Sequence, residues 1–170
     1  MTEQHIYQHF LNAALRNAVR LGCRQLVSFA GNPIPGKEQA QIRRFDISDI
    51  ENWPDAILSA GFDPEKRSFG DLGRLCTWMP KAAFRGVLRH LSELWCKGSS
   101  FVLLYSTIPN SGHPVYYEPV ELKVLLPSRG FEIYEHLSAA KLAKRYFLET
   151  GKEQPVLIPP GLCCLLAVRQ

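Results

Sequence analysis

A histidine and two tyrosines, His113, Tyr116 and Tyr117, follow the most apolar run of the chain, Phe101 to Ser106. In an open α/β sheet, ligands sit at the carboxyl ends of the strands. A histidine in that place is a candidate general base, and tyrosines beside it a candidate aromatic wall for a substrate. The same residues also read as a surface loop packed by its tyrosines. Asp46 ends a second strand-like run, Ile42 to Ile47, where an acid can cap the helix that follows. His5 and His9 stand four apart on one helical face, a spacing that can hold a metal. No further ligand accompanies them, so an exposed polar face is the preferred reading and no metal site is expected. Of the five cysteines, Cys23, Cys76, Cys96, Cys163 and Cys164, none forms a Cys-x-x-Cys pair, and reduced thiols are expected. Cys163 and Cys164, adjacent on a strand, should point to opposite faces as buried filler.

The bulk of the sequence narrows the field. With 170 residues, 46% hydrophobic and 21% charged, the chain has the composition of one globular domain with its own core. No apolar run reaches the ~18 residues of a membrane helix. The polar start, Met1 to His5, carries no signal-like apolar core, so a cytoplasmic protein without a membrane role is expected. The net charge of +4 is dispersed, and Arg43-Arg44 is only a doublet, which points to a mixed solvated surface rather than a nucleic-acid stripe.

The elements that must position these residues alternate. Ile6, Phe10, Ala14 and Ala18, with Leu11 and Leu15 beside them, predict an amphipathic helix over 5–21 that stops at Gly22. Gln25 to Ala30 is a short apolar strand, Gly31 to Gly36 a loop with two glycines and two prolines, and Ile42 to Ile47 a strand. Ser48 is expected to cap a helix over 49–60 that buries Ile50, Trp53, Ile57 and Leu58 and carries Pro54 in its first turns. The segment 68–79 reads as a short strand and a turn. Pro80 opens a helix that Gly98 closes, and Phe101 to Ser106 is a strand buried on both faces. Glu118 to Leu126 is a helix ending before Pro127, Phe131 to Leu137 a strand, 139–149 a helix capped by Ser138, and Gly161 to Arg169 a final strand. The alternation predicts an α/β fold with helices on both faces of the sheet.

Several segments stand in a telling order: Gly22 to Gly31, Arg44-Phe45-Asp46-Ile47, Ala60-Gly61-Phe62-Asp63-Pro64, Lys97 to Tyr105, Tyr117 to Leu122, Arg129-Gly130-Phe131 and Lys144-Arg145-Tyr146. That order resembles the S-adenosylmethionine-dependent methyltransferases of the leucine carboxyl methyltransferase type, which include polyketide O-methyltransferases, over residues 12 to 169. The resemblance implies a class I methyltransferase-like, Rossmann-like, mostly parallel sheet. It places the cofactor on the turn Ala30, Gly31 and Asn32, and on Asp46 and Ile47, which match the family's fourth-strand motif beside the adenine. One glycine of the family's turn, Gly31, is kept, while its Asp-Thr-Arg tail is not, and Pro33 and Pro35 remove two N–H donors. Only ten residues, Asn32 to Gln41, separate Gly31 from Ile42. A strand–helix–strand unit is therefore expected to be missing there, with the ribose-holding acid of the second strand, so the front half of the fold is truncated.

Two functions follow from the resemblance. One is transfer of the cofactor's methyl group to a carboxylate or hydroxyl oxygen of a small molecule or protein. The other is a catalytically inactive remnant that serves as a binding or oligomerisation module. A sheet lacking a strand would expose an edge, which predicts a homodimer or a partner subunit.

Overall fold

The computed structural model describes residues 2–29, 42–110, 112–151 and 158–170, of which 147–150 as backbone. The described residues form helices α1 (Glu3–Arg20), α2 (Trp53–Ser59), α3 (Leu75–Trp78), α4 (Lys81–Leu94), α5 (Pro119–Ser128) and α6 (Ala139–Thr150). The strands are β1 (Gln25–Ser28), β2 (Arg43–Asp46), β3 (Ser68–Asp71), β4 (Ser100–Ser106), β5 (Phe131–Ser138) and β6 (Leu162–Arg169). They make one six-stranded sheet in the order β2-β1-β3-β4-β6-β5. The first four run parallel, and β6 is antiparallel to both its neighbours. The expected α/β sheet with helices on both faces is what the chain forms.

The period of two sorts the strand residues between two cores. Val27, Phe45, Phe101, Leu103, Tyr105, Cys163 and Leu165 meet Trp53, Phe84, Leu88 and Leu122 of α2, α4 and α5. Leu26, Phe69, Val102, Leu104 and Cys164 meet Ile6, Phe10, Leu15 and Leu142 of α1 and α6. The two vicinal cysteines thus lie on opposite faces. Burial pushes the Cys23 thiol up to about 11 and raises Cys76, Cys163 and Cys164 as well, so these four are thiols packed as apolar side chains.

Strand order corrects one expectation. The chain passes from β2 through α2 directly to β3, and β1 lies between β2 and β3. In a doubly wound sheet the second strand flanks the first on one side and the fourth flanks it on the other. Arg44-Phe45-Asp46-Ile47 is therefore the second strand, not the fourth. The fourth-strand position belongs to Ser68-Phe69-Gly70-Asp71. The missing unit is the outer strand after β2 rather than one between Gly31 and Ile42. The edge left behind is only four residues long and carries Arg43 and Arg44, both features that discourage strand pairing with another chain.

Helix boundaries differ from expectation for local reasons. α2 begins at Trp53 after Asn52 rather than after Ser48, because the Asp49 carboxylate accepts from the backbone N–H of Glu51 (2.9 Å) and from the Asn52 side chain (3.1 Å), which fixes a turn first. Trp53 and Ile57 are buried, but Leu58 is exposed. The segment 68–79 resolves into β3 and the short helix α3. Pro127 lies inside α5, whose end follows one residue later, so its missing N–H forfeits a single bond.

At the amino edge of the sheet, three arginines from strands or strand entries close three helix ends. Arg67 Nη1 donates to the carbonyl of Leu21 after α1 (2.6 Å), Arg43 Nη1 to that of Gly61 after α2 (3.0 Å), and Arg169 Nη1 to that of Gly130 after α5 (3.1 Å). Each cation meets the negative end of a helix dipole and an orphan carbonyl. A Cβ on Gly61, already at φ +87°, would stand 2.9 Å from Arg43, so glycine is required for the clasp as well as the turn. Arg43→Ala is expected to lower stability by about 1 kcal/mol. The check is a lower urea midpoint with an unchanged slope.

Candidate functional site

Two clefts open at the carboxyl edge of the sheet. The first, about 290 Å³, lies at the ends of β1, β3 and β4 and is lined by Tyr7, Phe29, Gly73, Arg74, Trp78 and Leu104 among others. The second, about 230 Å³, lies between the end of β2 and α2, with Asp46, Ile47, Asp49, Trp53 and Ile57 in its walls. Ala30, Gly31 and Asn32, expected to form the cofactor turn, lie outside the described residues.

Asp46 stands at the mouth of the second cleft with its side chain 64% exposed, paired to Arg44 Nε at 2.6 Å. It does not cap α2, whose N-cap is Asn52. Its neighbour Ile47 packs half-buried against the Trp53 core, and the Ile47 N–H donates to the carbonyl of Ser28 (2.9 Å), which ties the end of β2 to the end of β1. The cleft thus joins an accessible carboxylate to an apolar wall. Asp49 adds a second carboxylate, held below the usual range by the Asn52 side chain and two backbone N–H groups.

The floor of the first cleft is a buried polar knot that sequence reasoning missed. Tyr7 of α1 donates its hydroxyl to Asp71 Oδ1 (2.5 Å), and the Gly73 N–H reaches both the Tyr7 hydroxyl (3.0 Å) and Asp71 Oδ1 (3.1 Å). Burial, then the Asp71 charge, pushes the Tyr7 phenol well above its ordinary value, so it stays a neutral donor. The available signal was Asp71 itself, an acid at the end of the short strand-like run Ser68–Asp71. Above the knot, the Arg74 guanidinium lies 5.7 Å from the ring centre of Trp78, which is 56% exposed, and 3.7 Å from Glu3. Arg74 is the charged side chain among the described residues lining this cleft.

His113, Tyr116 and Tyr117 do not form the expected wall, and none of them lines either cleft. His113 is 1% exposed. Its Nε2 lies 3.0 Å from Glu3 Oε1, off the line a hydrogen bond needs, and Nδ1 has no partner among the described residues. Tyr117 is buried against Phe84, where burial raises its phenol, while Tyr116 is exposed, and Lys81 lies over both rings. The chain turns inward after β4 because the Tyr117 N–H returns to the carbonyl of Ser106 (3.0 Å). His5 is engaged with Thr2 at the start of α1, and His9 packs edge-on against Tyr146.

A second polar cluster lies away from the clefts, where the Tyr105 hydroxyl meets His136 Nε2 at 2.6 Å. Burial, then Lys123 and Lys141, holds His136 below its usual 6.5, so it serves as a neutral acceptor. The unfolded chain takes up the proton more readily. The pair's contribution is present above pH ~6.5 and is lost as the pH falls through the lower folded value. His136→Gln is expected to flatten the fall in stability between about pH 7 and 5, read from urea midpoints of the variant and the parent protein.

No family model matches the sequence, and no curated protein is similar to it in sequence. Solved structures are similar in fold. A DUF574 family protein from Streptomyces avermitilis superposes with a TM-score of 0.66 at 11% identity, covering 98% of this chain and 82% of that one. The magnesium protoporphyrin IX methyltransferase of Synechocystis, solved with bound S-adenosylmethionine, gives 0.55 at 10% identity, covering 97% and 80%. The N-methyltransferase NodS of Bradyrhizobium japonicum gives 0.55 at 10% identity, covering 99% and 98%. At these identities the likeness is one of architecture, and the chain has the Rossmann-like fold of S-adenosylmethionine-dependent methyltransferases.

Proposed function

We propose that the protein is an S-adenosylmethionine-dependent O-methyltransferase of the leucine carboxyl methyltransferase type whose acceptor is a carboxylate. The observation that carries the reading is the position of Asp46: an exposed acid at the carboxyl end of the strand beside β1, over an apolar cleft. An acid in that place of a doubly wound sheet holds ribose hydroxyls. Asp46 would accept from the ribose, and Ile47 with the wall of α2 would cover the adenine. Ala30, Gly31 and Asn32 would complete the cofactor site from the end of β1. The bound cofactor supplies an electrophilic methyl group on a good leaving group, so holding the acceptor in line carries most of the rate.

The first cleft favours an acceptor that needs no base. Its charged lining residue among those described is Arg74, whose long contact with Glu3 (3.7 Å) leaves guanidinium N–H groups for an incoming anion, and Tyr7 is held as a neutral donor. A carboxylate arrives already ionised, Arg74 orients it, and Trp78 covers its organic part. The test is release of S-adenosylhomocysteine from S-adenosylmethionine across a panel of carboxylic acids and phenols. Turnover is expected with carboxylates and is expected to fall about ten- to hundredfold in Arg74→Gln. Turnover with neutral phenols alone would overturn the acceptor class.

One observation favours the remnant reading. Asp71, the acid at the end of β3, is buried and closed off by Tyr7. Cofactor binding without turnover on any acceptor would support a binding module over an enzyme.

A further inference from the structure

On the α1 face, at the amino edge of the sheet and remote from both clefts, lies a groove of about 310 Å³ between the second half of α1 and the strands β5 and β6. Its origin is in the sequence. The first half of α1 sets Ile6, Tyr7, Phe10 and Leu11 on the sheet, filling the space; in the second half Leu15 still packs into the core, but the positions facing the groove are Ala14 and Ala18. These small side chains leave a slot floored by Leu166 and Val168. Its lips are two large apolar side chains on either side of the slot: Leu21 is 69% exposed and Tyr134 78%. Tyr134 is there because of a local irregularity. The register of β5 on β6 slips between Ile133 and Glu135, so Tyr134 is the extra residue of a bulge. Bulges re-aim a side chain and recur beside binding sites.

The rim is positive. Arg20 and Arg67 line the groove, no carboxylate does, and among the described residues neither arginine forms an ion pair. Arg67 spends one N–H on the Leu21 carbonyl, which also fixes it at the rim. The shape and charge choose among occupants. A second copy docked groove to groove would bring the same arginines together, a like-charge arrangement that costs affinity. The volume lies at the lower end of the ~300–1,000 Å³ of small-molecule pockets, room for one chain rather than two.

We infer that this groove binds a single-chain amphiphile with an anionic head, a medium-chain fatty carboxylate, its chain on Ala14, Ala18, Leu166 and Val168 beneath Tyr134 and its carboxylate at Arg20 and Arg67. The site does not depend on the cofactor reading, because it shares no residue with either cleft.

The test is calorimetric titration of the full chain with monomeric decanoate, with decyltrimethylammonium as the cationic control. Decanoate is expected to bind saturably at one site and the control not to bind. Arg20→Glu, at an exposed position without an ion pair, is expected to weaken decanoate about tenfold. Tyr134→Ala, on an exposed bulge whose loss should not impair folding, is expected to weaken it severalfold. Absence of saturable binding to the folded protein would overturn the inference. So would equal binding of the cation, or indifference to Arg20→Glu. A dimer that Tyr134→Ala dissolves, or retention on anionic vesicles, without uptake of monomeric decanoate would also overturn it, assigning the groove to self-association or to a membrane surface.

Discussion

Asp46→Ala lowers the affinity for S-adenosylhomocysteine by about ten- to hundredfold and leaves the urea midpoint nearly unchanged. Hydrogen bonds to a charged group contribute about 1.5–3 kcal/mol, and each 1.4 kcal/mol is tenfold in affinity. The fold should not notice the change. The Asp46 side chain is largely exposed, its ion pair with Arg44 is a surface pair between residues two apart, and the cap of α2 is provided elsewhere. This separates the two roles that the sequence leaves open for Asp46. A helix cap would lose about 1 kcal/mol of stability and no ligand affinity. Calorimetry and urea unfolding of the same variant read both quantities.

Asp71→Ala costs about 3 kcal/mol of folding stability, the larger of the structural effects expected here. Asp71 is 2% exposed and accepts from both the Tyr7 hydroxyl and the Gly73 N–H. Its removal strips the Tyr7 hydroxyl, on a side chain buried at the floor of the cleft, of its acceptor, and each orphaned buried group costs about 1–3 kcal/mol. Tyr7→Phe should cost less, about 1–2 kcal/mol, because Asp71 keeps the Gly73 N–H. Ranking the two by urea unfolding checks the assignment; equal and small effects would mean that the knot does not hold α1 to the sheet.

Much of the architecture was legible because it rests on local chemistry. The apolar face of α1, the all-buried β4 and the glycines at 22, 61, 98 and 130 mark helix and strand ends with the positive φ that those ends require. What could not be read was order across the sheet. A strand's neighbour is a tertiary fact. Motif alone therefore matches Arg44 to Ile47 to the fourth strand, and the short strand read within 68–79, Ser68 to Asp71, carries no local mark that it lies beside β1. Its Gly70 is there because the Trp95 ring fills the space of its side chain; a Cβ would stand 2.5 Å from it.

The candidate site was legible only in part. Asp46 and Ile47 line a cleft, at the end of the second strand rather than the fourth. His113 and Tyr117 looked like loop chemistry because burial leaves no mark on residue type; a backbone bond back to Ser106 turns them inward. Tyr7, Arg74 and Trp78 come from α1, the β3–α3 turn and the end of α3, and meet only because the sheet brings β3 beside β1. Tyr7 and Arg74 stand 67 positions apart, a spacing that carries no signal.

The central claim is that this shortened methyltransferase fold keeps its cofactor. Calorimetric titration of the folded protein with S-adenosylmethionine and S-adenosylhomocysteine tests it most directly. Saturable binding in the micromolar range, weakened by Asp46→Ala, is the predicted result; no binding of either ligand at millimolar concentration would contradict it.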